Sequence, residues 1–233
     1  EIRASGKRDT SRKRGGGPGS RRTDRERESV MDSFQVISIT DFDKKRRRVL
    51  LEGSLALVLF PCDIRRLGIE EGGYLSRDML DEIGELLFRR ARERILELLE
   101  FSDKTEFELR ARLNREGYPE EAVNRALTAI QRYGYINDES YGRQYAQARA
   151  SGKSRRQIMN GLLQKGIDRE LAEKILNDQP VDEERQIRRL LEQKGYLGRK
   201  LERKEQERAV AMLARRGYSF DAVRRVMDCI EPE

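Results

Sequence analysis

Arginines and lysines are the residues of this sequence best suited to chemistry, because guanidinium and ammonium groups bind phosphate and carboxylate groups. Lys153, Arg155 and Arg156 fall within four positions, with no acidic residue among them. This cluster could contact either DNA or an acidic protein surface. A cation in the last turn of a helix can also serve only to complement the helix dipole, which is the alternative for each cation taken alone.

Further cations fall at predicted helix ends and turns, and we expect them to contribute to the same partner-binding or DNA-binding surface. If they share one face, a nearly neutral protein can still present a positive surface. The complete set of predicted contact residues is Arg110, Arg112, Arg115, Arg143, Arg149, Lys153, Arg155, Arg156, Lys165, Arg215 and Arg216.

Catalytic chemistry is disfavoured by the residue types present. The sequence has no histidine, which excludes imidazole bases, Ser-His-Asp triads and histidine-containing metal sites. Its acidic residues show no context typical of acid–base catalysis or of an oxygen-ligand metal loop. Cys62 and Cys229 are far apart and form no Cys-x-x-Cys pair, which indicates ordinary thiols of a reducing compartment. We therefore predict no active site, no metal and no cofactor.

Composition favours a helical array over one large globule. Charged residues make up 39% and aromatic residues 6% of the 233 residues, which leaves little apolar material for a single large core. No apolar run approaches the roughly 18 residues that a membrane span needs, and no signal peptide opens the sequence. The sequence thus predicts a soluble, cytoplasmic protein.

The net charge of +7 is distributed unevenly along the chain. Residues 1–29 hold ten Lys or Arg against five Asp or Glu, so only +2 remains for the other 204 residues. This segment is nearly free of apolar residues, which predicts a disordered basic arm. Such an arm could hold nucleic acid loosely or act only as a solubilising tail.

A pattern within residues 109–130 recurs twice, at intervals of about fifty residues. Each copy has a leucine, a glycine four residues later, and a stripe of apolar residues with helical spacing. One such stripe cannot be buried alone, so the pattern indicates a helical repeat protein in which neighbouring helices cover one another. The three copies are Leu113-Gly117-Tyr118-Ala122-Val123-Ala126-Leu127-Ile130, Leu162-Gly166-Ile167-Leu171-Ala172-Ile175-Leu176 and Leu213-Gly217-Tyr218-Ala222-Val223-Val226-Met227-Ile230.

The glycine of each copy predicts the end of a helix, because glycine readily takes the left-handed conformation of a Schellman cap. The residue after the glycine should then contact the leucine, which favours core packing over base stacking for tyrosines at this position. A second helix should begin at Pro119, Asp168 or Ser219. Gly134 and Gly195 predict further helix ends of the same kind. The tyrosines concerned are Tyr118, Tyr135, Tyr196 and Tyr218.

The segment 30–75 differs from the rest, since short runs of β-branched and aromatic residues predict three strands of a small meander. Residues 44–48, all Lys or Arg, should lie at a turn between strands, either as a solvated tip or as phosphate contacts. Residues 68–73 are predicted to form a turn, and they lack the Gly-Lys-Ser/Thr ending of a phosphate loop. The three predicted strands are residues 34–39, 49–52 and 55–60.

From about residue 76 the pattern is helical to the end, beginning with a long helix that a break near Gly84 would divide. A later helix, beginning at Asn137 or Asp138, carries Tyr141, Tyr145 and Ala148. The predicted fold class is mainly α: three tandem three-helix repeats in an elongated curved array, preceded by a small β-stranded N-terminal element and the disordered basic arm. The predicted repeats are residues 76–135, 136–179 and 180–233.

Several of these motifs resemble a known family. The residues are Gly134-Tyr135-Ile136-Asn137-Asp138-Glu139-Ser140-Tyr141, Lys153-Ser154-Arg155-Arg156-Gln157-Ile158 and Leu162-Leu163-Gln164-Lys165-Gly166-Ile167. They resemble RecX, the bacterial regulator of the RecA recombinase, whose middle repeat reads Gly-Tyr-Leu/Ile-Asp-Asp-Glu, then an aromatic residue and alanine, a basic stretch and Lys-Gly-Ile. Asn137, Tyr141 and Gly142 depart from that pattern without altering the helix end or the stripe. Arg215-Arg216-Gly217-Tyr218 resembles the closing motif, and the resemblance covers nearly everything after Met31.

The resemblance implies a non-enzymatic protein of homologous recombination, DNA repair and the SOS response. Its expected partner is a RecA filament on single-stranded DNA, with DNA contacted directly or through RecA. The expected effect is modulation, chiefly inhibition of filament extension, ATPase and strand exchange, and the protein is expected to be a monomer. Two other functions stay open: a stand-alone nucleic-acid-binding helical protein, and a scaffold for another protein.

Overall fold

The computed structural model of this chain describes residues 33–199 and 201–229. The predicted basic arm and Ile230 of the third copy lie outside these ranges. The chain divides into two compact units, Glu1–Ile83 and Gly84–Glu233. Within the described ranges, no helix combines the length and the apolar character that crossing a membrane would require.

The N-terminal unit contains a four-stranded antiparallel sheet. Its elements are β1 (Ser33–Asp41), β2 (Arg47–Leu51), β3 (Ala56–Leu59), α1 (Pro61–Arg66) and β4 (Tyr74–Ser76). The strand order is β3-β2-β1-β4, with Val36 opposite Leu51 and Phe34 opposite Leu75. The predicted meander of β1, β2 and β3 is confirmed. The sequence pattern does not predict β4, because this strand has only three residues and follows a glycine-rich turn.

The basic run at residues 44–48 is divided between a turn and a strand. Residues 44–46 lie in the turn, whereas Arg47 and Arg48 belong to β2. The prediction that the whole run lies at a turn is therefore wrong for its last two residues, which pair with β1 and β3.

The remaining helices form three groups of three. They are α2 (Arg77–Phe101), α3 (Glu106–Arg115), α4 (Glu120–Arg132), α5 (Asp138–Arg149), α6 (Arg155–Gln164), α7 (Arg169–Asp178), α8 (Glu183–Gln193), α9 (Arg203–Arg215) and α10 (Phe220–Asp228). We call α2–α4 repeat 1, α5–α7 repeat 2 and α8–α10 repeat 3. α2 continues through Gly84, so the break suggested there is not observed.

Each repeat buries its apolar stripe in a core of its own. The recurring stripe predicted from the sequence supplies most of the buried residues, which confirms the repeat pattern. The central residues are Leu109, Leu113, Val123, Leu127 and Ile130 in repeat 1, Ile158, Leu162, Ile167, Ile175 and Leu176 in repeat 2, and Ile187, Leu191, Leu213, Val223 and Val226 in repeat 3.

The glycine-terminated helices are closed as predicted in all three copies. The N–H groups of Tyr118, Ile167 and Tyr218 donate to the carbonyls of the leucines five residues earlier, at 3.1–3.3 Å, which is the long-range bond of the Schellman motif. Tyr135 is an exception: its side chain is 62% exposed, so the predicted core packing is wrong there. Ile136, which is 7% exposed, occupies the core instead.

Repeats 1 and 2 are joined by hydrogen bonds at the N-terminus of α3, a set that we call junction 1–2. Thr105 caps α3 by accepting from Glu108 N–H at 3.2 Å, and its Oγ1–H donates to the carbonyl of Lys165 at 2.6 Å. Glu106 N–H donates to Asp138 Oδ1 at 3.0 Å. The N-terminus of one helix is thus tied to two helices of the next repeat.

Junction 2–3 repeats this arrangement one unit further along the chain. Ser154 caps α6, and its Oγ–H donates to the carbonyl of Arg216 at 2.9 Å. Arg155 N–H donates to Glu183 Oε1 at 3.0 Å. Both junctions therefore use a hydroxyl at the N-cap, the next backbone N–H, and a carboxylate at the start of the following repeat.

Gln186 adds a buried polar connection at junction 2–3. Its side chain is 7% exposed, and its Nε2 donates to the carbonyls of Ala150 at 2.6 Å and Lys153 at 3.2 Å. The Tyr218 hydroxyl donates to Gln186 Oε1 at 3.0 Å. Because the amide has hydrogen-bond partners on both its atoms, repeat 3 holds the turn between α5 and α6 in one conformation.

Candidate partner-binding surface

In repeat 1 the predicted contact residues are bound to their own repeat. Arg110 pairs with Glu106 at 2.8 Å and Arg112 pairs with Glu116 at 2.6 Å. Arg115 donates from Nε to a carbonyl one turn earlier at 3.3 Å. Acids of the same repeat therefore partly neutralise Arg110 and Arg112, whereas Arg115 contacts a backbone carbonyl.

Two predicted cations of repeat 2 also form ion pairs. Arg143 contacts Asp178 at 2.8 Å and Glu139 at 3.0 Å, which links α5 to α7. Lys165 Nζ lies 2.5 Å from Glu108 Oε1, across junction 1–2. This hydrogen bond to the Glu108 carboxylate raises the pKa of Lys165. Both side chains therefore connect helices.

The cluster at residues 153–156 is divided by the fold. Arg155 donates to the carbonyl of Leu176 at 2.5 Å and to Asn177 Oδ1 at 2.8 Å, so it caps the C-terminal end of α7. Arg156 donates to the carbonyl of Ala214 at 3.2 Å, in repeat 3. Lys153, the remaining cation of the cluster, lies in the turn before α6, and its side chain makes no hydrogen bond or ion pair to another described residue.

The two predicted cations of repeat 3 differ in their surroundings. Arg215 is exposed at the end of α9. Arg216 is half-buried, its carbonyl accepts the Ser154 bond of junction 2–3, and its Nη1 is buried without a hydrogen-bond partner among the described residues. Arg216 thus belongs to the junction, and Arg215 is available to solvent.

Arg149 and Lys153 are brought together at a small polar pocket of about 270 Å³ in repeat 2. Neither side chain forms an ion pair within residues 33–199 and 201–229, and no carboxylate lines the pocket. We call this site the repeat 2 pocket. Its lining residues are Tyr145, Arg149, Lys153, Gln157, Asn160, Gly161 and Gln164.

The cationic wall of the repeat 2 pocket is fixed by local contacts. The Arg149 guanidinium lies 3.6 Å from the centre of the Tyr145 ring, a cation–π stack. Lys153 N–H donates to the carbonyl of Arg149 at 3.0 Å, so both cations belong to one turn. Gly161 leaves room for Tyr145, because a Cβ at this position would lie 2.2 Å from the tyrosine hydroxyl.

The amide wall of the pocket consists of side chains on α6. Gln157, Asn160 and Gln164 follow one another at intervals of three and four residues, which places them on one helix face with Gly161. These amides are not among the contact residues predicted from the sequence. Tyr145 packs against the core of repeat 2 and also lines this pocket. The sequence pattern that could have indicated the amides is the spacing of Gln157, Asn160 and Gln164, which places them on one helix face directly after the turn that carries Lys153.

A larger cleft of about 650 Å³ lies beside junction 2–3, and its chemistry is different. Arg155 and Arg156 line it together with three consecutive acidic residues at 182–184. Arg225 pairs with Glu184 at 2.6 Å. Positive charge is therefore balanced in this cleft, whereas it is unbalanced in the repeat 2 pocket.

The fold defines a class of protein: a tandem helical-repeat protein with a small β-stranded N-terminal element. Family models give a narrower assignment. Residues 91–128, 137–176 and 182–227 match the first, second and third three-helix domains of RecX, in that order. The chain belongs to the RecX family of regulatory proteins.

Curated relatives agree with this assignment. Regulatory protein RecX of Clostridium perfringens is 29% identical over 170 residues, which cover 70% of this chain and 80% of the relative. Regulatory protein RecX of Amycolatopsis mediterranei is 33% identical over 135 residues, covering 56% of this chain and 77% of the relative. The relatives match most of their own length.

Solved structures show the same fold. A crystal structure of regulatory protein RecX is 21% identical with a TM-score of 0.58, covering 84% of this chain and 99% of that chain. RecX from Lactobacillus salivarius is 19% identical with a TM-score of 0.53, covering 62% of this chain and 96% of that chain.

Proposed function

We propose that this chain regulates a RecA recombinase by binding RecA filaments on single-stranded DNA, where it limits filament extension, ATP hydrolysis and strand exchange. The observation that carries the proposal is the ordered match of all three helical repeats to the three domains of the RecX family. The activity is regulatory and uses no catalytic residue of this chain.

The repeat architecture supports binding to a polymer. Each repeat has its own core and its own surface, so one chain offers three similar modules joined by fixed junctions. Linked modules that contact successive subunits of a filament bind far more tightly than any one of them, because the second and third contacts are intramolecular. Linking the repeats does not strengthen binding to a single RecA monomer, which offers no successive subunits to contact.

Titration of the chain into RecA, ATP and single-stranded DNA tests the proposal. We expect the rate of ATP hydrolysis to fall at well below one chain per RecA subunit, because blocking the extension of one filament affects many subunits. A rate that stays unchanged throughout the titration would exclude the proposal.

The chain could also lower ATP hydrolysis by binding free single-stranded DNA and so keeping it from RecA. This alternative needs its own control. The titration is therefore repeated with a large excess of single-stranded DNA. Inhibition through the filament persists under this condition, whereas inhibition through DNA removal is relieved. Relief would assign the chain to the class of stand-alone nucleic-acid-binding proteins.

A further inference from the structure

We propose that the repeat 2 pocket binds single-stranded DNA directly, with a phosphate at Lys153 and an unpaired base against the Arg149 guanidinium. This inference deepens the proposed function, since it assigns the DNA contact to one site on the chain. It also separates Lys153 from its sequence neighbours Arg155 and Arg156, whose guanidinium groups are bound to α7 and repeat 3.

The charge distribution identifies the ligand as an anion. Arg149 and Lys153 are both exposed, neither has a carboxylate partner among the described residues, and no Asp or Glu lines the pocket. Arg149 Nη1 donates to the carbonyl of Tyr145 on its own helix, at 3.5 Å. Most other predicted contact cations are bound more firmly, to carboxylates or to carbonyls of other helices. An anion in this pocket can contact two cations, and no existing ion pair has to be broken first. The full attraction of both charges is therefore available for binding.

Side chains, more than the backbone at the start of α6, provide the anion contacts of this pocket. Lys153 precedes the N-cap Ser154, but Gln157 N–H already donates to Ser154 Oγ and Arg155 N–H donates to Glu183. Two of the backbone donors that this helix N-terminus could offer to a phosphate are therefore occupied. Lys153 is the side-chain donor for the phosphate, and Arg149 adds a second positive charge beside it.

The amide wall favours nucleic acid over an acidic peptide. Ionised carboxylates only accept hydrogen bonds, so the side chains of an acidic peptide need only donors. Gln157 Oε1 accepts from Ser154 N–H, but Asn160 and Gln164 are exposed and offer both a donor and an acceptor. Paired donors and acceptors match the edges of bases, which carry both kinds of group.

The stacked arginine favours a single strand over a duplex. One plane of the Arg149 guanidinium covers the Tyr145 ring, and Arg149 is exposed. Unpaired bases stack on guanidinium planes and aromatic rings, whereas bases within a duplex are already stacked and paired. A duplex could offer this pocket only a phosphate.

The pocket is also held in a fixed conformation before any ligand binds. Gln186 donates to the carbonyls of Ala150 and Lys153, so repeat 3 orders the turn that carries the lysine. Gly161 allows Tyr145 to lie against α6. Binding therefore requires little ordering of the backbone, which lowers its entropic cost.

A DNA-binding measurement without RecA tests this inference. The double variant Arg149→Gln/Lys153→Gln is compared with a control that removes equal charge elsewhere, Arg169→Gln/Arg203→Gln, whose side chains are 70% and 91% exposed. Binding of a labelled oligo(dT) is followed by fluorescence anisotropy over a range of salt concentrations. Circular dichroism confirms that each variant is folded.

We expect the pocket variant to bind at least about tenfold more weakly at low salt, and its salt dependence to become shallower by about 0.7 for each phosphate that is no longer neutralised. The control variant should retain the wild-type salt dependence. A second pocket variant, Asn160→Ala/Gln164→Ala, should bind up to roughly tenfold more weakly at an unchanged salt slope, because it removes base contacts and no charge.

Three results would overturn the inference. The first is equal binding by the pocket and control variants. The second is competition by oligo-glutamate as effective as competition by unlabelled oligo(dT), which would assign the pocket to an acidic protein. The third is competition by duplex DNA as effective as by single strands.

The RecA titration gives an independent readout, since a chain that binds DNA through this pocket but leaves ATP hydrolysis unchanged supports the inference and excludes the proposed function.

Discussion

Junctions 1–2 and 2–3 share their backbone hydrogen bonds and differ in the side chains around them. In both, an N-cap hydroxyl donates to a carbonyl beside a helix-ending glycine, Gly166 in the first and Gly217 in the second. In both, the next N–H donates to a carboxylate at the start of the following repeat. The geometry of attachment is therefore the same for successive repeats.

Side-chain packing distinguishes the two junctions. At junction 1–2 the base of Phe107 lies against Gly166, and Lys165 pairs with Glu108. At junction 2–3 the equivalent of Phe107 is Arg156, whose flexible guanidinium lies over Gly217. Gln157 stands where junction 1–2 has Glu108, so the cross-repeat ion pair is not reproduced.

This difference indicates how the fold combines regularity with local variation. Directional bonds to the backbone fix the position of each repeat, whereas packing and charge decide how firmly it is held. Junction 2–3 is also bordered by the cleft of about 650 Å³. Gln186 and Arg156 add hydrogen bonds across this junction. The two junctions therefore differ in the kind of contact: packing and an ion pair at junction 1–2, and hydrogen bonds of polar side chains at junction 2–3.

Alanine at the junction glycines should give the largest effects and should separate the two junctions. Gly166→Ala places a Cβ 2.1 Å from Phe107 Cβ at a positive φ of 80°. The left-handed backbone costs about 1–2 kcal/mol and overpacking a further ~1–3 kcal/mol. Gly217→Ala meets the far end of the long Arg156 side chain at 2.7 Å and Ser154 Oγ at 3.1 Å. Because the end of an arginine side chain can shift more easily than a phenylalanine Cβ, we expect a smaller loss. Urea unfolding followed by circular dichroism measures both.

Gly195→Ala is the matched control for the glycine variants. Gly195 also has a positive φ, of 70°, but an added Cβ would meet nothing within 4 Å. It should therefore lose only the ~1–2 kcal/mol that the left-handed backbone costs. Equal losses at Gly166 and Gly217 would show that the two junctions are packed alike, contrary to the difference between Phe107 and Arg156.

Removal of the junction hydroxyls should give similar losses at both junctions, because this bond is common to them. Thr105→Val and Ser154→Ala each remove a helix cap and leave the carbonyl of Lys165 or Arg216 without its donor, which we expect to cost about 2 kcal/mol. Asp168→Ala is the comparison, since Asp168 caps α7 through Leu171 N–H at 3.0 Å without joining repeats. A loss at Thr105 no larger than at Asp168 would mean that the junction bond contributes nothing to stability.

The sequence predicts the parts of this fold that depend on local residues. Glycine four residues after leucine identifies helix ends, because a left-handed residue is needed there whatever surrounds it. The apolar stripes identify the three cores for a similar reason. Tyr135 follows the same local rule but is exposed, because Ile136 next to it occupies the core.

The roles of individual cations could not be predicted, since they depend on distant residues. Arg155 binds a carbonyl at the far end of α7, and Lys165 binds a glutamate of the preceding repeat. No local pattern distinguishes these cations from Lys153, which has no such neighbour in the described part of the chain. The capping boxes at Thr105 and Ser154 were readable as Thr-x-x-Glu and Ser-x-x-Gln, but their bonds across the junctions were not.

The ion pair between Lys165 and Glu108 gives the smallest predicted effect and the most specific one. A double-mutant cycle with Lys165→Met and Glu108→Gln should yield a coupling energy of at most about 1 kcal/mol, because both side chains are roughly one-third exposed and partly screened. The corresponding cycle with Arg216→Met and Gln157→Ala at junction 2–3 should give a smaller value, since Gln157 carries no charge.

The dependence of this coupling on pH follows from the raised pKa of Lys165. The hydrogen bond to Glu108 favours the protonated lysine in the folded state, so its contribution is fully present below the ordinary lysine value of 10.5. It is lost as pH rises through the higher pKa of the folded state. Coupling should therefore be equal at about pH 7 and about pH 9 and should decline above the ordinary value. Coupling that persists throughout the alkaline range would show that the two side chains stabilise junction 1–2 by packing, in which case the two junctions would differ in shape and not in charge.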